Sequence, residues 1–208
     1  MNYKKIELDK WDRKEYFNIY TKDIPCTHNM TVDIDITNIL NKNLKLYPSL
    51  LYVVSKVVNM YEEFRTSFNE DGDIIIFEKM NPSYTIFHKD DETFSSIWTE
   101  YSEDLYIFNE RYEKDLLTYG NKKGLSPKAN TPDNCYNISM IPWLTFKSFS
   151  LNLEYGYKFL KPIFTFGKYT KEDNKVIIPF STQVHHAVCD GFHLARFINK
   201  LQEEIDSL

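Results

Sequence analysis

The chain has 208 residues, 42% hydrophobic and 26% charged, with a net charge of −5. That length suits one large domain whose core stands without staples. The acidic balance, without a basic stripe, argues against nucleic acid or an anionic membrane as partner, and no apolar run reaches the ~18 residues of a membrane span. Three scattered cysteines, Cys26, Cys135 and Cys189, form no CxxC pair, and "MNYKKIELDKWDRKEYF" has no apolar signal core. A reducing cytoplasm is the expected setting, with neither a disulfide frame nor a structural zinc site. Fifteen Tyr, fifteen Phe and three Trp favour broad aromatic contacts, between subunits or around an apolar ligand.

In chain order, "WDRKEYFNIYTK" (11–22) predicts a short amphipathic helix with Trp11, Phe17 and Tyr20 toward one side, stopped by Pro25. "MTVDIDIT" (30–37) alternates with period two and predicts a half-buried strand. "PSLLYVVSKVVNMY" (48–61) predicts a buried helix opened by proline. "FRTSF", "NEDGD" and "IIIFE" predict a hairpin about Asp71-Gly72, and "SYTIFH" (83–88) another strand. A long helix is expected within 94–118 and a loop over 120–134, followed by strands at 136–141, 149–153, 162–168 and 175–186. The closing "GFHLARFINKLQEEID" carries Leu194, Ile198, Leu201 and Ile205 as a helical stripe. No repeat or linker divides the chain, so one domain over 1–208 is expected, an α/β (α+β) sandwich with helices mainly on one face of a mixed sheet.

The chemistry concentrates in "QVHHAVCDGFH" (183–193). Were it helical, His186, Asp190 and His193 would share a face as metal ligands do. The β-branched, proline-containing run "KVIIPFSTQV" (175–184) makes the incoming segment extended, and Gly191 interrupts the pattern. On a strand, His185 and His186 point to opposite faces, so at most one serves a given cleft. His185 and His193 are then scaffold. His186, followed by a turn in which Asp190 folds back, is the candidate base, because a neutral imidazole takes a proton from an alcohol near neutral pH. Cys189 stands beside it as a possible nucleophile or, more ordinarily, a small buried side chain.

With "NISMIPW" (137–143), "PIFTFGKY" (162–169), "PSYTIFH" (82–88) and "WDRKEYFNIY…PCT" in the same order, the chain resembles the trimeric chloramphenicol acetyltransferase family nearly end to end. The resemblance implies a CoA-dependent acyltransferase-like fold. It implies direct acetyl transfer from acetyl-CoA to the primary (3-) hydroxyl of chloramphenicol, conferring resistance, with no acyl-enzyme and no metal. His186 is then the general base, its ring held by its own carbonyl. Asp190 pairs with Arg13 to support it, Ser139 donates to the oxyanion, and Thr165 holds an ordered water.

By the same resemblance Tyr20, Ile24, Cys26, Phe94, Phe149, Leu151 and Ile163 line the drug pocket. Lys45 and Tyr47, with Lys168 and Tyr169, receive CoA. His28, where several members carry phenylalanine, and Ser126, where an aromatic can stand, make the pocket more polar or roomier. The family implies a homotrimer with sites between neighbours: His186 from one subunit, most drug contacts from the next. Dihydrolipoamide acyltransferase cores and condensation domains share the His-x-x-x-Asp-Gly pattern. A silent drug-binding relative or a zinc hydrolase are the remaining alternatives.

Overall fold

The computed structural model describes residues 2–153 and 158–208. In chain order the elements are β1 (Tyr3–Lys5), α1 (Lys14–Asn18), β2 (Thr27–Asp35), α2 (Thr37–Asn41), α3 (Leu46–Met60), β3 (Thr66–Phe68), β4 (Ile74–Phe77), β5 (Asn81–His88), β6 (Thr93–Trp98), α4 (Leu105–Tyr119), β7 (Cys135–Met140), β8 (Ile163–Phe166), β9 (Thr170–Glu172), β10 (Lys175–His185) and α5 (Gly191–Ser207). The main sheet runs β2-β10-β8-β7-β5-β6, with β9 also on β10, and β1-β4-β3 form a small antiparallel sheet. In the main sheet β7 pairs in parallel with both β5 and β8, while the other pairs are antiparallel. The mixed sheet with helices is the α+β arrangement expected. No helix among the described residues is long and apolar enough to cross a membrane.

Strand alternation gives this sheet two unlike faces. One is apolar: Ile34, Ile138, Phe164, Phe166, Ile178, Phe180 and Val184 are buried with Leu51, Val54 and Val58 of α3 and Leu194, Phe197 and Leu201 of α5. Phe164 stacks on Phe180 at 5.6 Å and on Phe197 at 5.2 Å, joining the sheet to α5. The other face is polar. Thr31, Ser181, Thr165 and Ser139 lie opposite one another across four strands, beside a second row of Asn29, Gln183, Ile163 and Asn137.

Three expectations are sharpened or corrected. The helix expected within 94–118 is α4, and residues 93–98 ahead of it are a strand: His88 bonds Ser95 at 2.7 Å and Ser83 bonds Ser96 at 3.0 Å across the β5–β6 pair. The helix starts only at Leu105, where the Asp104 carboxylate accepts the Tyr106 and Ile107 amides. Residues 149–153 alternate like a strand yet join no ladder. Side chains supply their partners instead: Gln183 bonds both the amide and the carbonyl of Leu151, and Asn29 and Ser181 both donate to the Phe149 carbonyl. Finally, the predicted N-terminal helix is the short α1 followed by a wider π-type turn over Ile19–Asp23.

Candidate active site

The motif begins where β10 ends. The His185 carbonyl accepts the Val188 and Cys189 amides, each at 3.1 Å, and the His186 amide bonds the Cys26 carbonyl at 3.0 Å. The chain therefore reverses within residues 186–189, upstream of Gly191, which is the first residue of α5 and occupies open space. His185 is buried, and its Nδ1 accepts the Ala187 amide at 3.1 Å.

One arginine staples this turn. Arg13 Nε donates to the Ala187 carbonyl at 2.7 Å, and Nη2 to the His186 carbonyl at 2.8 Å. Nη1 and Nη2 donate to the two Asp190 oxygens at 2.7 and 2.5 Å. This fork suits guanidinium, whose donors are planar and preset. The Arg13 hydrogen bond holds the Asp190 carboxyl below the usual carboxylate range, so it stays ionised at neutral pH.

The His186 ring lies on Tyr20 at 4.0 Å with 21° between planes and meets His28 edge-on at 5.0 Å and 64°. Its Nδ1 is shielded from solvent, 3.2 Å from Asp190 Oδ1 but without a hydrogen bond. Nε2 is left as the nitrogen a hydroxyl would meet. Nε2 of His28 lies 2.9 Å from the Cys189 carbonyl. A carbonyl only accepts, so that nitrogen carries the proton and His28 spends a donor on the turn rather than on open pocket. Burial pushes the Cys189 thiol far up, so at neutral pH it is a packed thiol and a poor nucleophile.

Ser139 Oγ lies 3.1 Å from Thr165 Oγ1 in register on the polar face. Ile163 and Phe94 belong to the same face, and Phe149 and Leu151 cross it on the segment tied to Gln183 and Ser181. Phe94 and Leu151 are 53% and 42% exposed, open to a further surface. Tyr20 and His28 stand instead with His186, next to Cys26, and Ile24 is exposed nearby.

Strand register sets the centres of these two groups on different faces of the sheet. Ser181, in register with Thr165, lies four residues, roughly 13 Å of strand at about 3.3 Å each, before β10 ends at His185. His28 pairs with Val184 on the apolar side of β10, the opposite face from Ser181.

Among the residues expected at CoA, Lys45 pairs with Glu113 at 2.6 Å on the surface. Tyr47 is turned inward instead: its hydroxyl points at the Thr85 carbonyl at 3.5 Å, its ring meets Tyr84 edge-on at 6.0 Å, and burial pushes the phenol up. Lys168 and Tyr169 are exposed on the β8–β9 connection. Ser126 is exposed in the loop joined to β6 by the Ser96 amide bonding the Leu125 carbonyl at 2.7 Å. Sequence reasoning missed Asn29 and Gln183, which hold the crossing segment. Two amides among the apolar and hydroxyl side chains of a paired strand were the available signal.

The profile of the chloramphenicol acetyltransferase family matches residues 1–202. The chloramphenicol acetyltransferase of Clostridium perfringens is 55% identical over 207 residues, covering 100% of both chains. That of Clostridioides difficile is 54% identical over 205 residues, covering 99% of this chain and 97% of its own. A solved chloramphenicol acetyltransferase superposes with a TM-score of 0.85 at 20% identity, covering 98% of this chain and 100% of that one. A dihydrolipoamide acetyltransferase from Azotobacter vinelandii shares the fold more loosely, with a TM-score of 0.66 at 18% identity over 86% of this chain and 81% of its own. Profile, relatives and fold agree: the chain belongs to the chloramphenicol acetyltransferase family.

Proposed function

We propose that the protein acetylates the primary (3-) hydroxyl of chloramphenicol from acetyl-CoA by direct transfer, and so confers resistance. The observation that carries this reading is the stapled turn: Arg13 ties two carbonyls and both Asp190 oxygens, with His186 Nδ1 shielded beside Asp190 and Nε2 left for the hydroxyl. His186 takes the hydroxyl proton as the drug oxygen bonds to the thioester carbonyl carbon. Ser139 donates to the oxygen that gains charge, where a preset donor is worth about 3 kcal/mol, and Thr165 at 3.1 Å from it orients that hydroxyl and a water. As the tetrahedral species collapses, the C–S bond breaks and His186 returns its proton to the leaving thiolate. The ester and free CoA thiol balance the reaction without a metal.

The site is completed between subunits of a homotrimer. What supports this is strand parity: Ser139 lies in register with Thr165 and Ser181 on one face, while His28, whose ring meets His186, pairs with Val184 on the other. A neighbour's polar face, with Ser139, Thr165, Ile163, Phe94, Phe149 and Leu151, would meet one subunit's His186, Tyr20, Ile24 and Cys26. Exposed Lys168 and Tyr169 are suited to CoA phosphate and adenine, whereas Tyr47 reaches CoA only by leaving its inward position. We assign the enzyme to the bacterial cytoplasm, where acetyl-CoA is available.

The test is acetyl-CoA-dependent thiol release with and without chloramphenicol. Release that needs the drug and disappears in His186→Ala is expected; drug-independent release, or an active His186→Ala, would overturn the assignment.

A further inference from the structure

His193 is the third residue of α5, and its Nδ1 accepts the backbone amide of Asp190 at 3.0 Å. A side chain at this position reaching back to the N-cap amide is half of a capping box, a part normally taken by Glu or Gln. Accepting at Nδ1 requires a neutral ring with its proton on Nε2, which lies 3.4 Å from Glu63 Oε1. The same Glu63 oxygen takes Arg196 Nη2 at 2.8 Å. A chain thus runs from the Asp190 amide through His193 to Glu63 and Arg196.

We propose that His193 is a positioning residue for the base: as a neutral imidazole it clamps Asp190, and on gaining a proton it releases the turn that carries His186. The proposal rests on His186 being the base. A proton on Nδ1 turns the acceptor into a second donor facing an N–H, so the bond to Asp190 is lost. Asp190 is also the residue whose carboxylate anchors Arg13, which in turn holds the His186 and Ala187 carbonyls. The proton at His193 is therefore two residues' contacts from the His186 backbone.

The groups facing His193 pull in both directions. Glu63, from the turn before β3, and Asp190 favour its charged form, while Arg13, ahead of α1, and Arg196 on α5 oppose it. Burial, the largest influence, then holds its titration below the ordinary histidine value. The clamp therefore stays closed through neutral pH and opens in weak acid. A cavity of about 430 Å³ lined by Trp11, Arg13, Tyr16, Glu62, Glu63 and His193 gives protons a route to it.

The experiment compares wild type, His193→Leu and His193→Gln in the full chain. Hydrogen exchange at the Asp190 amide and imidazole NMR are read across pH, and kcat and KM at pH 8. Losing one amide bond should speed Asp190 exchange about three- to tenfold in His193→Leu, with kcat falling by a similar factor and the drug's KM within about twofold. His193→Gln keeps a pH-independent acceptor and should recover protection and most of the lost kcat. In wild type, exchange corrected for its intrinsic pH dependence should rise as His193 titrates, and in His193→Gln it should not. Equal protection in wild type and His193→Leu, or a wild-type exchange profile flat through the His193 titration, overturns the proposal. So does a His193→Gln that loses as much kcat as His193→Leu. If His193→Leu does not fold, the wild-type and His193→Gln arms still decide. Exchange needs no turnover, so failure of the base assignment, seen as an active His186→Ala, is distinguishable from failure of the clamp.

Discussion

The proposed division of base and oxyanion donor between subunits makes a sharp prediction about two variants. His186→Ala removes the proton acceptor, and Ser139→Ala removes a donor worth about 10²–10³ in turnover. Each preparation alone should therefore be nearly inactive. Suppose the two are unfolded together in equal amounts and refolded. If every site takes His186 from one subunit and Ser139 from its neighbour, it is intact when the first carries Ser139→Ala and the second His186→Ala. With random assembly that combination occurs at about one interface in four, in any closed ring. Thiol release should recover to about 25% of wild type refolded in parallel. If both groups came from one chain, no site could be intact and activity would stay at the level of the separate variants. Recovery below a few per cent, with sedimentation showing mixed oligomers, would refute the intersubunit site.

Ser139→Ala by itself should lower kcat with little change in the drug's KM, because the donor acts on charge that develops during attack; a loss confined to KM would make Ser139 a binding residue. Asp190→Asn should flatten the acid side of the stability curve. The folded carboxyl titrates below its unfolded value, so its contribution is full above the ordinary carboxylate range and lost as pH falls through the lowered value. Thermal melts from pH 3 to 7 would show this, and identical wild-type and variant profiles would contradict it. Iodoacetamide at pH 7 should leave Cys189 and Cys135 unlabelled in the native protein, because burial pushes both thiols up, Cys135 to about 12. Peptide mapping that finds Cys189 labelled as fast as a free thiol would reopen its candidacy as nucleophile. Phe164→Ala should cost about 3–5 kcal/mol in denaturant melts, since its ring joins β10 to α5; under 1 kcal/mol would mean that the two layers close without it.

Where one physical signal dominated, the sequence was legible. The apolar run of α3, the stripe of α5 and the β-branched run of β10 each state their structure locally, and the extended entry to "QVHHAVCDGFH" already separated His186 from His185. Local pattern failed where tertiary partners decide. "TFSSIW" (93–98) is short and serine-rich, and becomes a strand because β5 offers a pairing edge. Phe149, Leu151 and Leu153 alternate convincingly, but Gln183, Asn29 and Ser181 take their backbone groups. Tyr47 was placed at CoA by resemblance alone; the first turn of α3 aims it at Thr85.

The deeper limit concerns the two halves of the site. The resemblance already set the site between neighbours, and as proposed base and oxyanion donor His186 and Ser139 must act on the same substrate. Strand parity is in keeping with that, with Ser181, Thr165 and Ser139 on one face and Val184 and His28 on the other. In the proposed trimer a second copy would bring the two together and cover the exposed Phe94 and Leu151. The stapled turn fits that division of labour. On the proposed reading, a base that meets a substrate held mainly by another subunit would not be aimed by the pocket itself, and its own chain would fix it in advance, through Arg13, Asp190 and the proposed amide clamp of His193.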